Sequence, residues 1–418
     1  MKIQTFELVN FRGIANMSLG FAQQTTALVG VNGVGKSSVL DALAIALSNL
    51  TARITGQSAK ARSMSMDDIR VGADYAKLTV TAELELPSPT AWTIALNRKA
   101  GKHSTGRSSI LEALKGQADL LSARLGYRES VGQAINLPLA VYYDVHRAVL
   151  DVPLRVRETQ LNSPRTAYGD ALGHGGTDFR AFFIWFRNRE DAENEGIRDN
   201  PGHHDRDLTA VRRAIEQFTQ FTDLRIRRKP ALRMTVSKSG TELNVLQLSD
   251  GEKCMLALVG DLARRLSLLN TEREDPLLGE AVVLIDEIDL HLHPKWQRSV
   301  VASLERTFQN CQFIITTHSP QVLGELQPEQ IILFRPEGIS HPQVSYGLDS
   351  NQVLEEIMDA KPRSPKVGQA LTQLFATLER HELDSARQQL SALSAMAPGI
   401  AELGGAQALL QRKVVLGR

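Results

Sequence analysis

The chain alternates between two hydrophobic periods, and the places where one gives way to the other outline its elements. Residues 2–10, within the opening MKIQTFELVNF, alternate apolar and polar positions like a strand, and residues 17–30 continue the same sheet. Thr25 to Gly30 (TTALVG) reads as a buried strand. From Lys36 to Leu50 the period lengthens, with Val39, Leu40, Leu43, Leu47 and Leu50 on one face of a helix. Residues 51–66 are small and polar and predict a mobile loop. Lys77 to Leu86 (KLTVTAELEL) alternates strictly, with Trp92 to Leu96 as its partner strand. The basic residues 98–107 read as a loop and Leu137 to Asp144 (LPLAVYYD) as another strand. Arg180 to Glu195 and Leu208 to Phe221 predict helices, with Phe182, Phe183, Trp185 and Phe186 as apolar content. The core resumes near Leu232 with a hairpin turning at Ser239 and Gly240 that leads to Leu248. Residues 252–270 are helical, Ala281 to Ile285 and Gln312 to Thr316 are buried parallel strands, and a helical tail begins at Leu348. No internal repeat and no long heptad array appears.

Composition narrows the setting only a little. At 418 residues the chain is long enough for two or three domains or one large elaborated one. A net charge of +1 neither demands nor excludes nucleic acid, because a basic patch can hide in a neutral total. The two cysteines, Cys254 and Cys311, fall in stretches read as buried, so a disulfide is not expected. No apolar run approaches membrane-spanning length, and the first residues do not read as a signal peptide. A soluble, cytoplasmic protein with no membrane partner is expected.

Residues 30–37 read Gly-Val-Asn-Gly-Val-Gly-Lys-Ser, the phosphate-binding pattern G-x-x-x-x-G-K-[ST] between a strand and a helix. Gly30, Gly33 and Gly35 let the backbone turn its N–H groups toward phosphate oxygens, and the helix N-terminus adds partial positive charge. Lys36 is expected at the β- and γ-phosphates and Ser37 at Mg2+, with Asn32 and Ser38 in the same loop. The run Val282 to Ile285 ends in Asp286 and Glu287, so a buried strand delivers both carboxylates to the sheet edge. Asp286 would serve Mg2+, and Glu287 would polarise an attacking water as general base.

Leu248-Ser249-Asp250-Gly251-Glu252 opens a helix. Ser249 with Glu252 three residues on fits a capping box, and a serine with a Gly-bearing helix start also fits an anion site. The strand ending Thr316-Thr317-His318 delivers a histidine to the same edge as Asp286. Three other features stay open or bland. Arg225, Arg227, Arg228, Lys229 and Arg233 form the densest basic run, either a phosphate-tracking face or a solvated or partner-binding one. Residues 203–207 (HHDRD) have no standard metal spacing, and His291 and His293 sit in the turn after the acids.

Taken in order, P-loop, LSDGE, the two acids, the turn after them and His318 resemble the ATP-binding-cassette ATPases. Phe11-Arg12-Gly13, DEIDLHLHP and THSP are similar to the RecF, Rad50 and SMC branch, while LSDGE departs from the commoner LSGGQ and points away from transporters. The resemblance implies an α/β P-loop head with a mixed central sheet, an antiparallel β subdomain and a helical insertion. It divides the chain into lobe I (1–150), a helical insertion (151–235), lobe II (236–347) and a helical tail (348–418). It implies that Arg12 helps hold ATP, that Asp289 is the D-loop aspartate and that His318 contacts the γ-phosphate. It also implies that Ser249 and Gly251 face the P-loop of a second copy, in a head-to-tail dimer, or a higher oligomer, enclosing two ATP. No Q-loop glutamine is evident; in Tyr142 to Arg147, Asp144 or His146 would have to serve. The Phe-rich helix and the tail look like the compact ATPases of bacterial defence islands, the PtuA family of the Septu system and its retron-associated relatives, which implies a separate HNH nuclease subunit. A RecF-type DNA-binding ATPase of repair is the alternative, and it leaves nucleic acid open as a partner.

Overall fold

The computed structural model describes residues 1–57, 61–85, 88–98, 108–145, 163–173, 179–361 and 363–416. Its centre is a six-stranded sheet made from the chain's apolar runs. The strands are β3 (Thr25–Val29), β6 (Leu139–Tyr143), β10 (Ala281–Ile285), β11 (Cys311–Thr316), β12 (Ile331–Arg335) and β13 (Gly338–Ser340), in the order β13-β12-β3-β11-β10-β6. All neighbours run parallel except β12 and β13. Every residue of β3, β6, β10 and β11 is buried, as strands covered on both faces require. Register brings Ile285 opposite both Tyr143 and Ile315, and Leu28 opposite Thr316. The carboxyl ends of these four strands therefore lie along one edge, where open α/β sheets place their ligands.

Four antiparallel strands form a second sheet: β2 (Ile14–Gly20), β1 (Lys2–Phe11), β4 (Tyr75–Glu83) and β5 (Thr90–Asn97), in that order. On β4 only alternate residues (Ala76, Leu78, Val80 and Ala82) are fully buried, as strict alternation predicts; residues 86 and 87, at the end of that apolar run, lie outside the described residues. The P-loop helix, Lys36–Ile54, packs against strands of both sheets. It runs past Leu50 into the stretch expected as loop, because Thr51, Ala52 and Ile54 continue its buried surface. Part of the expected loop, residues 58–60, lies outside the described residues, as do 99–107 of the basic loop. A helix at Glu112–Val131 was not anticipated; it buries a stripe at Leu114, Ala118, Leu121 and Leu125.

The helices Phe179–Asp199 and Arg206–Thr219 precede a third sheet of β7 (Thr222–Arg227), β8 (Arg233–Lys238) and β9 (Thr241–Asn244). The core thus resumes at Thr222, before the expected Leu232. Phe182, Phe183, Trp185 and Phe186 are all buried. A Cβ at Gly260 would meet the Phe182 ring at 2.9 Å, so glycine there admits the ring against the helix Asp250–Leu269. That helix carries a buried ionic knot. Asp261 accepts hydrogen bonds from Arg264 and Arg265, each at 2.7 Å, and from the Tyr143 hydroxyl at 3.0 Å. Burial pushes the Asp261 carboxyl up, but the two guanidiniums more than offset it and hold it below the usual carboxylate range. The knot fixes this helix to β6, and through β6 to the sheet edge.

Met1–Asp349 and Ser350–Arg418 are separate compact units. The second holds the helices Pro365–Glu379, Leu383–Met396 and Glu402–Leu416 around Leu371, Leu374, Leu378, Leu390, Leu393 and Leu410. Both cysteines are buried and neither forms a disulfide. Among the described residues no helix is long and apolar enough to cross a membrane.

Candidate active site

The turn after β3 is built by glycine. Gly33 has φ of 86° and Gly35 of 105°, a region that side chains avoid, and the helix begins directly at Lys36. The loop wraps a cleft of about 180 Å³. Asn32, Gly33 and Gly35 to Ser38 line one side; Asp286, Glu287, Thr316 and His318 line the other. Lys36 is only 7% exposed, and its Nζ donates to the carbonyls of Gly30 at 2.8 Å and Val31 at 3.1 Å. Burial holds the ammonium below the ordinary lysine range, against the upward pull of Asp286 and Glu287.

The two acids are held differently. The Ser37 hydroxyl donates to Asp286 Oδ1 at 3.2 Å, and the Thr316 hydroxyl donates to the same oxygen at 2.5 Å. Glu287 has φ of 48°, and its N–H donates to Thr316 Oγ1 at 2.7 Å. A hydroxyl and a carboxylate side by side in a polar cleft are hard oxygen donors. They fit Mg2+, which takes few protein oxygens and leaves the rest of its shell to phosphate and water. Ser37 and Asp286 are the residues that would hold it.

Other expected residues sit outside this cleft. Asp289 accepts from the Thr317 hydroxyl at 2.6 Å and lies 3.4 Å from the His318 N–H, so it braces the histidine of its own chain. Arg12, at φ of 49°, pairs with Asp41 at 2.7 Å and Asp68 at 2.9 Å, and Arg62 also reaches Asp41, at 2.8 Å. Asp41 belongs to the P-loop helix, so Arg12 stands beside that helix with its charge matched by two carboxylates. Asp144 follows β6 directly, and the Asp286 N–H donates to the Tyr143 carbonyl at 2.9 Å, which places Asp144 at the neighbouring strand end. His146 and Arg147 lie outside the described residues.

Ser249 and Gly251 line a second cavity of about 740 Å³, with His291, Leu292 and Trp296. A Cβ at Gly251 would meet the His291 carbonyl at 2.4 Å, so only glycine lets these two turns touch. The capping box is present: Glu252 accepts from the Ser249 N–H at 2.9 Å and its hydroxyl at 2.8 Å, and Lys238 pairs with Glu252. Ser249→Ala is therefore expected to cost about 1 kcal/mol of stability in urea melts. An unchanged midpoint would show that the serine is not needed as a cap.

Comparison with known proteins supports the resemblance. Residues 25–324 match the family described as "AAA domain, putative AbiEii toxin, Type IV TA system". The chain belongs to this AAA-domain family. It is 30% identical to the "Retron Ec83 probable ATPase" of Escherichia coli, over 88% of this chain and 78% of that one. It is 23% identical to the "Septu protein PtuA" of Bacillus thuringiensis, over 90% of this chain and 89% of that one. Among solved structures, the SMC head bound to the C-winged helix domain of ScpA aligns with a TM-score of 0.49 at 17% identity, over 84% of this chain and 98% of that one. With the AAA domain and the retron relative, the chain is an ATPase, α/β in fold.

Two features of this AAA-domain ATPase were not read from its sequence. One is Thr316, which joins the acids; the other is the Arg12, Asp41, Arg62 and Asp68 network. The basic run also takes a definite form. Arg225 pairs with Asp223, Arg227 with Glu242 and Arg228 with Asp191, so acids offset the charge that would track phosphates. His203 packs against Gly196 and Asp205 caps a helix, and no cluster of metal-ligating groups occurs among the described residues.

Proposed function

We propose that this ATPase is a nucleotide switch whose two copies close head to tail around two ATP, and that this cycle governs a separate nuclease subunit in anti-phage defence. The observation that carries the reading is the separation of the two half-sites. The P-loop and Ser249 line different cavities of the same chain, which supports a site completed by the Ser249 of a second copy. Likeness to a retron ATPase and to a Septu protein supports the defence setting, and the PtuA resemblance supports a nuclease partner of HNH type.

In this reading the P-loop N–H groups and Lys36 hold the phosphates, and His318 faces the γ-phosphate. Mg2+, held by Ser37 and Asp286, supplies charge neutralisation when bound. Glu287 takes the proton of a water as that water's oxygen bonds to the γ-phosphorus and the bond to the ADP oxygen breaks. Closure is favoured because ATP binds the closed pair better than the open one.

Mixing defective chains tests the shared site. Lys36→Ala and Ser249→Arg should each be inactive alone. Mixed equally, the two chains form heterodimers with one intact site of two, so activity should return, to at most about half of wild type. No recovery, or full activity of Ser249→Arg by itself, would refute the shared site.

A further inference from the structure

Thr316 is a residue that the phosphate-binding motifs do not name. It ends β11, is fully buried, and lies on the wall of the cleft. Its hydroxyl donates to Asp286 Oδ1 at 2.5 Å and accepts the Glu287 N–H at 2.7 Å, while its carbonyl accepts the Ile288 N–H at 3.0 Å. Three consecutive residues of the acidic turn are thus tied to one residue of the next strand.

The direction of these bonds is forced. A hydroxyl carries a single proton, and a backbone N–H can only donate. The Glu287 N–H therefore uses an oxygen lone pair, and the Thr316 proton goes to the carboxylate. With Ser37 on the same oxygen, Asp286 is held in one rotation about its carboxyl axis. The tie also accounts for Glu287 keeping φ of 48°, a conformation that long side chains rarely adopt and that persists only when neighbours fix it.

We propose that Thr316 is the positioning residue of this site: its one hydroxyl sets the Asp286 carboxylate for the divalent cation and the Glu287 backbone that aims the base. The inference rests on the metal and base roles given above to Asp286 and Glu287. A threonine that merely filled the strand end would be replaceable by valine, which matches its shape and the apolar run before it.

Thr316→Val and Thr316→Ser, compared with wild type and Glu287→Gln, test this. ATP affinity is measured by calorimetry in EDTA and in Mg2+, and kcat and KM by phosphate release. In Thr316→Val the affinity in EDTA should stay within about twofold, since the P-loop is untouched. The gain in affinity on adding Mg2+ should shrink about tenfold, and kcat should fall about ten- to hundredfold. Thr316→Ser, which keeps the hydroxyl, should restore most of both. If valine leaves both readouts at wild-type level, or serine is as impaired as valine, the positioning role is wrong. Thr316→Ala replaces valine should that variant fail to fold, with the same expected pattern. Should Glu287→Gln turn over normally, the base role fails, and the Mg2+ readout still decides the Asp286 half. A dead Glu287→Gln beside a normal Thr316→Val would overturn the Thr316 inference alone.

Discussion

Glu287→Gln is expected to slow ATP hydrolysis by a factor of about a thousand while leaving ATP binding at wild-type strength. Glutamine has nearly the same shape, and the backbone N–H that holds the residue to Thr316 is unchanged. The turn should therefore keep its geometry, and Asp286 should keep both of its hydroxyl partners. What is lost is an oxygen able to take a proton. Because turnover stops after binding, the variant should accumulate in the closed, ATP-filled dimer. Single-turnover phosphate release and sedimentation with and without ATP measure the two effects. Hydrolysis within threefold of wild type would remove Glu287 from the base role. Slow hydrolysis without dimer would separate the base from the switch.

The P-loop and the acid strand were legible because their chemistry fixes residue types. Phosphate needs Gly33 and Gly35 at positive φ, and a doubly covered strand needs an unbroken apolar run such as Ala281–Ile285. The capping box at Ser249 was legible as a serine and a glutamate three apart. Contacts between distant segments left no such trace. Thr316 meets Asp286 across 30 residues and Arg12 meets Asp68 across 56, and no local pattern announces either. The helix end was misread for a different reason. Thr51 and Thr55 look like loop residues, yet their hydroxyls return to carbonyls one turn back, Thr51 to Ser48 at 3.3 Å and Thr55 to Thr51 at 3.1 Å. In the helix Glu112–Val131, Gly116 and Gly126 mask a regular buried stripe.

Lys36→Ala is expected to weaken ATP binding by two orders of magnitude or more, with about the same loss in EDTA as in Mg2+. Two consequences of its placement lead there. Burial has already stripped the ammonium of much of its water, so the charge meets phosphate without first shedding a hydration shell. Its bonds to the Gly30 and Val31 carbonyls also hold the loop in a phosphate-sized curve before ligand arrives. Alanine removes the charge and the brace together. Lys36→Arg should not rescue binding, because a planar guanidinium cannot reproduce a compact ammonium bridging two carbonyls. Fluorescent-nucleotide titration measures the loss, and affinity within threefold of wild type would show that the backbone N–H groups suffice. The same variant bears on assembly. If ATP joins two chains, Lys36→Ala should stay monomeric at ATP concentrations that dimerise Glu287→Gln. A Lys36→Ala chain that dimerised on ATP without measurable binding at its own P-loop would mean that the nucleotide closing the pair lies elsewhere.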